Sequence, residues 1–210
     1  RKNMKIVILA DTHGKHNQVK VPDGDVLIHC GDITRDGRVH ELFRINMWLS
    51  FLPHKHKIVI AGNHDWCFQN QTSLSASYLQ NATYLHDSSV VIDGVTFWGS
   101  PWQPEFFDWA FNLPRNGPEL EEKWSRIPAN TDVLITHCPP FGILDLTLQN
   151  NKVGCEKLAI AVERVKPKVH LFGHIHCGYG KLQVGNTLFV NASNCDEEYK
   201  PVNKSLEIDL

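Results

Sequence analysis

The chain of 210 residues has little of what would mark a membrane or nucleic-acid-binding protein. Its longest apolar runs are about six residues, against the ~20 that a spanning helix needs, so no membrane segment is expected. Lysine and arginine number 21 against 23 acidic residues, for a formal net charge of −2. With no basic stripe or charged block, no nucleic-acid surface is evident. Nothing ahead of Met4 reads as a secretory leader, and Arg1-Lys2-Asn3 reads as an appended or trimmed end. The six cysteines form no CxxC pair, which argues against a zinc knuckle or a redox motif. Reduced, mostly buried thiols and a cytoplasmic setting are therefore expected. Repeats and low-complexity linkers are also missing, and the length fits one domain, residues 1–210.

What the chain does have is a series of short β-branched runs that end in polar turns. Lys5–Ala10, Asp25–His29 and Lys57–Ala61 read as strands, and His40–Leu52 between the last two reads as an amphipathic helix stopped by Pro53. Strand, helix, strand in that order predicts a right-handed crossover and a parallel sheet. A weak helix over Ser73–Leu79 follows, then strands at Thr83–Leu85, Val90–Ile92 and Thr96–Trp98. Asp93-Gly94 between the last two signals a tight hairpin. Helices at Glu119–Trp124 and Glu156–Val165, and strands at Asp132–Thr136, Lys168–Phe172, Leu182–Val184, Thr187–Val190 and Ser205–Ile208, complete an α/β pattern.

Five of these runs deliver chemistry at their ends: Asp11-Thr12-His13-Gly14, Gly31-Asp32, Gly62-Asn63-His64-Asp65, His137, and Gly173-His174-Ile175-His176. In open α/β sheets the carboxyl edge of the strands is where ligands bind. Asp11 and His13 are two apart, as are His174 and His176, and in extended backbone that spacing puts each pair on one face. Asp, His and Asn are oxygen and nitrogen donors, suited to manganese, iron or zinc. Cys30, Cys67, Cys138 and Cys177 stand within two residues of these groups but are the poorer candidates beside such donors. So many ligands at one edge would be costly without cations, and their number exceeds what one ion needs. Two ions sharing a carboxylate, ~3.5–4 Å apart, suit displacement at phosphorus.

In their order these stretches resemble the calcineurin-like metallophosphoesterase superfamily over nearly the whole chain. Thr12-His13-Gly14, Pro101-Trp102-Gln103-Pro104, Asn112-Leu113-Pro114-Arg115 with Gly117, and Gly178-Tyr179-Gly180 further resemble its small metallophosphoesterase-domain-containing (fetal-brain type) branch and microbial relatives. The resemblance implies a four-layer α/β/β/α sandwich with two divalent ions at the strand ends, Mn²⁺ first, with iron or zinc as alternatives. It puts Asp11, His13 and His176 on one ion, and Asn63, His137 and His174 on the other, with Asp32 bridging. A metal-bridging hydroxide is the implied nucleophile, and His64 the donor of a proton to the leaving alkoxide. Imidazole suits that task on chemical grounds as well. The chain departs from protein serine/threonine phosphatases, with Ala61 where they carry an arginine and Arg35 where they carry an aspartate. Asp36 and Asp65 are the two candidates to orient His64.

The implied function is a phosphodiesterase acting on small, including cyclic, nucleotides. The alternatives are a nucleotide or phosphoprotein monoesterase, and a weakly active scaffold that binds nucleotides or protein partners. His16, His29, His40, His54, His56, His86 and His170 read as surface or hydrogen-bonded core residues. Arg35 is either a phosphate clamp or a solvated loop residue. The aromatic stretch 98–111 is either a packed cover or a nucleobase platform, with Trp102 and Phe107 as the rings to test.

Overall fold

The structure, a computed structural model, describes residues 3–210; Arg1 and Lys2 lie outside it. In chain order the elements are β1 (Lys5–Leu9), β2 (Val26–Cys30), α1 (Glu41–Phe51), β3 (His56–Ile60), α2 (Trp66–Asn70), α3 (Thr72–Tyr78), β4 (Thr83–Tyr84), β5 (Ser88–Ile92) and β6 (Val95–Ser100). Then come β7 (Gln103–Pro104), β8 (Asn112–Leu113), α4 (Pro118–Ser125), β9 (Val133–Thr136), α5 (Glu156–Val165), β10 (Val169–Phe172), β11 (Gly180–Val184), β12 (Thr187–Asn191) and β13 (Leu206–Asp209).

One sheet runs β13-β1-β2-β3-β4 and the other β11-β12-β10-β9-β6-β5. Ile6, Ile8, Ile28, Ile58 and Ile60 of the first sheet pack against Phe97, Val133, Ile135, Leu171 and Val190 of the second, all buried. The outer face of the first sheet is covered by α1 and α2 through Leu42, Ile45, Leu49 and Phe68. Leu120, Trp124, Leu158 and Val162 of α4 and α5 cover the outer face of the second. The result is the expected α/β/β/α sandwich. Strands buried on both faces must be apolar along their length, which is why these runs are continuous and not alternating.

Within the first sheet β1, β2, β3 and β4 are mutually parallel, and within the second β6, β9, β10 and β12 are. All carboxyl ends of a parallel set lie on one edge. The two sheets meet there: Ala10 bridges Ser193, its amide donating to Ala192 O at 3.1 Å, and Asn194 N donates to Ala10 O at 2.9 Å. The Asp93-Gly94 turn has φ of 49° and 82°, the positive pair a type I′ hairpin requires. No helix among the described residues is long and apolar enough to cross a membrane.

Candidate metal centre

Every one of the five polar stretches leaves its strand at this shared edge, and their side chains meet. Asp11, His13 and His176 bring ligand atoms within 4.8 Å of one another, as do Asp11, Asp32 and His137. Asp32 stands between the groups: its Oδ2 is 3.8 Å from His13 Nε2 and 3.5 Å from His137 Nε2. Asn63 Oδ1 lies 2.8 Å from His137 Nε2, and the His174 ring sits 5.0 Å from that of His137. A ring nitrogen of His64 also lies within 4.8 Å of ligand atoms of His13 and Asp32.

The local backbone is not extended as the two-residue spacing suggested. Asp11, His13, Asp32 and His174 all have positive φ, between 44° and 70°. Non-glycine residues there cost about 1–3 kcal/mol each, and such strain collects at functional sites. It is the kinked turn, held by neighbouring loops through Asp11 N to Gly31 O and His13 N to Asp32 O, that brings the side chains together. The glycines before the ligands have a different cause: a Cβ on Gly62 would lie 2.3 Å from Asp32 Oδ1, and one on Gly173 2.2 Å from Asp11 Oδ2. Backbone and ligand are too close for any side chain.

Supporting hydrogen bonds aim the rings. His137 Nδ1 meets Cys30 O at 2.9 Å and His176 Nδ1 meets Asp196 O at 2.8 Å, so each turns Nε2 inward. Ser193 Oγ and His174 N donate to Asp11 Oδ2 at 2.8 and 2.9 Å, leaving Oδ1 buried with no hydrogen bond. His13 Nε2 faces His176 Nε2 at 3.3 Å, two imidazole nitrogens aimed at one another. Burial opposes charge on Asp32, yet His137 and His13 hold its carboxyl well below the usual range. Burial likewise works against charge on His137 and His176, but Asp32 and Asp11 keep each up at about 9. His13 and His174 are pushed down by burial, to about 4 and 3. Two buried carboxylates thus draw positive charge onto the facing imidazoles. The carboxylates, an Asp11 Oδ1 with no hydrogen bond and the opposed ring nitrogens suit divalent cations, which on binding would displace the protons drawn onto His137 and His176.

Neither carboxylate expected behind His64 is there. Asp36 is solvent-exposed, 4.0 Å from Arg35 Nε. Asp65 is fully buried and accepts from Gly62 N, Ile33 N, Thr34 N and Thr34 Oγ1, tying the two loops together. Burial, with Asp32 near, pushes its pKa up to about 6. His64 Nδ1 instead meets the Arg35 carbonyl at 3.3 Å, and its ring stacks on Trp109 at 4.1 Å. The aromatic stretch divides. Trp98 and Phe111 are buried, and Trp102 is tied down by an Nε1 bond to Asp87 at 3.0 Å with Lys123 over its ring. Phe107 is 80% exposed, beside Phe106. Phe106 and Trp109 are the rings that line a cleft of about 390 Å³ reaching Asp32, Asn63 and His174.

Sequence reasoning passed over Tyr199, Ser193 and Asn191. Tyr199 stands edge-on to His13 at 4.7 Å. Asn191 donates to Ile175 O at 2.9 Å and accepts from Ser193 Oγ at 2.8 Å. Asn191 and Ser193 follow the apolar run Leu188-Phe189-Val190, the same signal that marked the other stretches. Of the remaining histidines, His29 and His170 are buried and bonded to Thr12 and Thr136 at 2.9 and 2.8 Å. All six cysteines are free, and five are buried.

Comparison with known proteins agrees with this fold. The family described as calcineurin-like phosphoesterase matches residues 4–178. The chain is similar to metallophosphoesterase domain-containing protein 1 of Homo sapiens, 44% identical, with 98% of this chain and 71% of that protein aligned. It is also 44% identical to a UPF0046 protein of Caenorhabditis elegans, over 92% of this chain and 71% of that one. Among solved structures, TT1561 of Thermus thermophilus superposes with a TM-score of 0.61 at 14% identity, covering 90% and 89% of the two chains.

Proposed function

Since the chain belongs to the calcineurin-like phosphoesterase family, a family of dinuclear metal-dependent phosphoesterases, we propose that it hydrolyses phosphodiesters of small nucleotides. The observation that carries this is the placing of Asp32 Oδ2 between His13 and His137, 3.8 and 3.5 Å away. In this reading Asp11, His13 and His176 hold one ion, Asn63, His137 and His174 the other, and Asp32 serves both. Such ions polarise phosphoryl oxygens and lower the pKa of water. Manganese is our first choice for these donors, with iron or zinc as alternatives.

His64 donates a proton to the departing oxygen, its Nδ1–H resting on the Arg35 carbonyl so that the other nitrogen can serve. Asp65 keeps the Gly62–Asp65 turn and the Ile33–Thr34 loop in register. Phe106 and Trp109 receive a nucleobase. Clefts open on both sides of His64, which favours a diester, with two arms, over a monoester. The six free thiols suit a reducing, cytoplasmic setting.

With Mn²⁺, purified protein should hydrolyse bis-p-nitrophenyl phosphate and cyclic nucleotides much faster than p-nitrophenyl phosphate. Metal analysis should give two ions per chain, and Asp32→Ala should lose both. A preference for the monoester would overturn the diesterase reading; two ions retained by Asp32→Ala would overturn the shared carboxylate.

A further inference from the structure

The rings of His64, Trp109 and Tyr199 are a wall common to two clefts. The cleft containing Phe106 carries Glu105 and Glu197, and the guanidinium there, Arg115, is already spent on Val153 O, Gly154 O and Glu156. The cleft on the other side, about 670 Å³, has the opposite character, with Lys15, Arg35 and Arg38 in its walls. Its two carboxylates do little to neutralise them. Glu198 is paired with Lys200 at 2.5 Å, and Asp36 approaches Arg35 only at 4.0 Å. Lys15 donates to the Tyr199 carbonyl, and the Arg38 guanidinium has no hydrogen-bond or ion-pair partner among the described residues.

The loop that presents the two arginines is held firmly. Glu41, at the start of α1, accepts from the backbone amides of Arg35, Asp36 and Arg38 at 2.8, 3.1 and 3.0 Å. Gly37, with φ of 69°, lies so close that a Cβ would stand 2.4 Å from the His64 carbonyl oxygen. The same loop supplies the carbonyl behind His64 Nδ1. The backbone that carries both guanidinium groups is therefore fixed and bonded to the His64 ring, which lowers the cost of ordering the loop when an anion arrives.

We infer that this second cleft is an anion subsite for a phosphate carried on the departing alcohol. The inference rests on the diesterase reading above, with His64 delivering the proton. Water adds its oxygen to phosphorus and gives up a proton to solvent. The bond from phosphorus to the departing oxygen breaks, and that oxygen takes the His64 proton, which solvent restores. The products are a phosphomonoester and a phosphorylated alcohol. Guanidinium suits the second phosphate because its fork of donors matches phosphate oxygens.

The test uses Mn²⁺-loaded protein and three thymidine dinucleotides: TpT, pTpT and TpTp. At least one phosphorylated form should exceed TpT by about tenfold in kcat/KM, the scale of one charge-assisted hydrogen bond. Its products should be two nucleoside monophosphates, because the terminal phosphate then leaves with the alcohol. A nucleoside plus a nucleoside bisphosphate would put the charge on the retained arm and overturn the subsite. The double variant Arg35→Ala/Arg38→Ala should bring the preference close to one, while Arg35→Lys/Arg38→Lys keeps part of it. An unchanged preference in the alanine variant, with unaltered melting temperature, would also overturn it. Equal cleavage of all three dinucleotides, or hydrolysis of bis-p-nitrophenyl phosphate alone, sinks the subsite and leaves the diesterase reading standing. Failure on every diester removes that reading and the subsite with it.

Discussion

At the scale of single residues His64 is the test of chemistry against structure. Its ring lies 4.5 Å from that of His13 and 4.1 Å from that of Trp109, but its Nδ1 is committed to a backbone carbonyl. A proton donor that holds no metal should be removable without emptying the site. His64→Ala is expected to keep two ions per chain and to lose ~10²–10⁴-fold in kcat on an alkyl diester. A nitrophenolate leaving group needs less protonation, so its loss should be smaller. Loss of metal in this variant would make His64 a ligand; equal losses on both substrates would make it a positioning group. The residues that meet at the shared edge were legible in the chain because each stretch follows a β-branched run. The carbonyls of Cys30, Arg35 and Asp196 that aim His137, His64 and His176 were not, since a backbone oxygen carries no residue signature.

At the scale of elements, the long apolar runs could be placed in advance and the short pieces could not. Strands β1, β2, β3, β9 and β10 are buried at nearly every position, so composition alone marks them. Helix α2 has five residues and the β7–β8 ladder two pairs. Periodicity cannot register in so few positions. The same limit explains the aromatic stretch, where the prolines and acids of 98–111 leave no period to say which rings face inward. Structure reassigns the expected roles. Phe106→Ala should raise KM for a cyclic nucleotide by roughly 5- to 100-fold, as stacking is worth ~1–3 kcal/mol, with unchanged melting temperature. Trp102→Ala should instead lower the melting temperature and damage all substrates, since it strips Asp87 of a donor and Lys123 of its ring. Nucleotide KM untouched by Phe106→Ala would remove the nucleobase role from this cleft.

At the scale of the whole molecule, the two sheets bury matched Thr–His pairs, Thr12–His29 in one and Thr136–His170 in the other. Burial pushes both imidazoles down, each to about 3. Unfolding restores the ordinary value near 6.5, so below that pH the unfolded chain takes up protons the folded one refuses. Stability is therefore full above about pH 7 and falls as acid is added, by about 1.4 kcal/mol per histidine between pH 7.5 and 5.5. His170→Gln removes one such group. Urea titrations should show the gap between wild type and variant narrowing by that amount over the same interval. A gap independent of pH would show that the His170 imidazole titrates alike in the folded and unfolded chain, and a gap that widened in acid would show it protonated in the fold.

The bond from Ser193 Oγ to Asp11 spans 182 positions, and β13 joins the first sheet by pairing antiparallel with β1, from Lys5 opposite Asp209 to Ile8 opposite Leu206. Closing so long a loop costs little more than closing a shorter one, because the penalty grows only as the logarithm of length. The order of events is another matter. Asp11, His13, Asp32, Asn63, His137, His174 and His176 are all synthesised before the segment that holds Asp11 in place. A nascent chain thus carries all seven candidate ligands with no finished edge to mount them on. Ions captured at that stage would meet a loose cluster of histidines and carboxylates, and selectivity among them would await the segment around Ser193 that fixes Asp11.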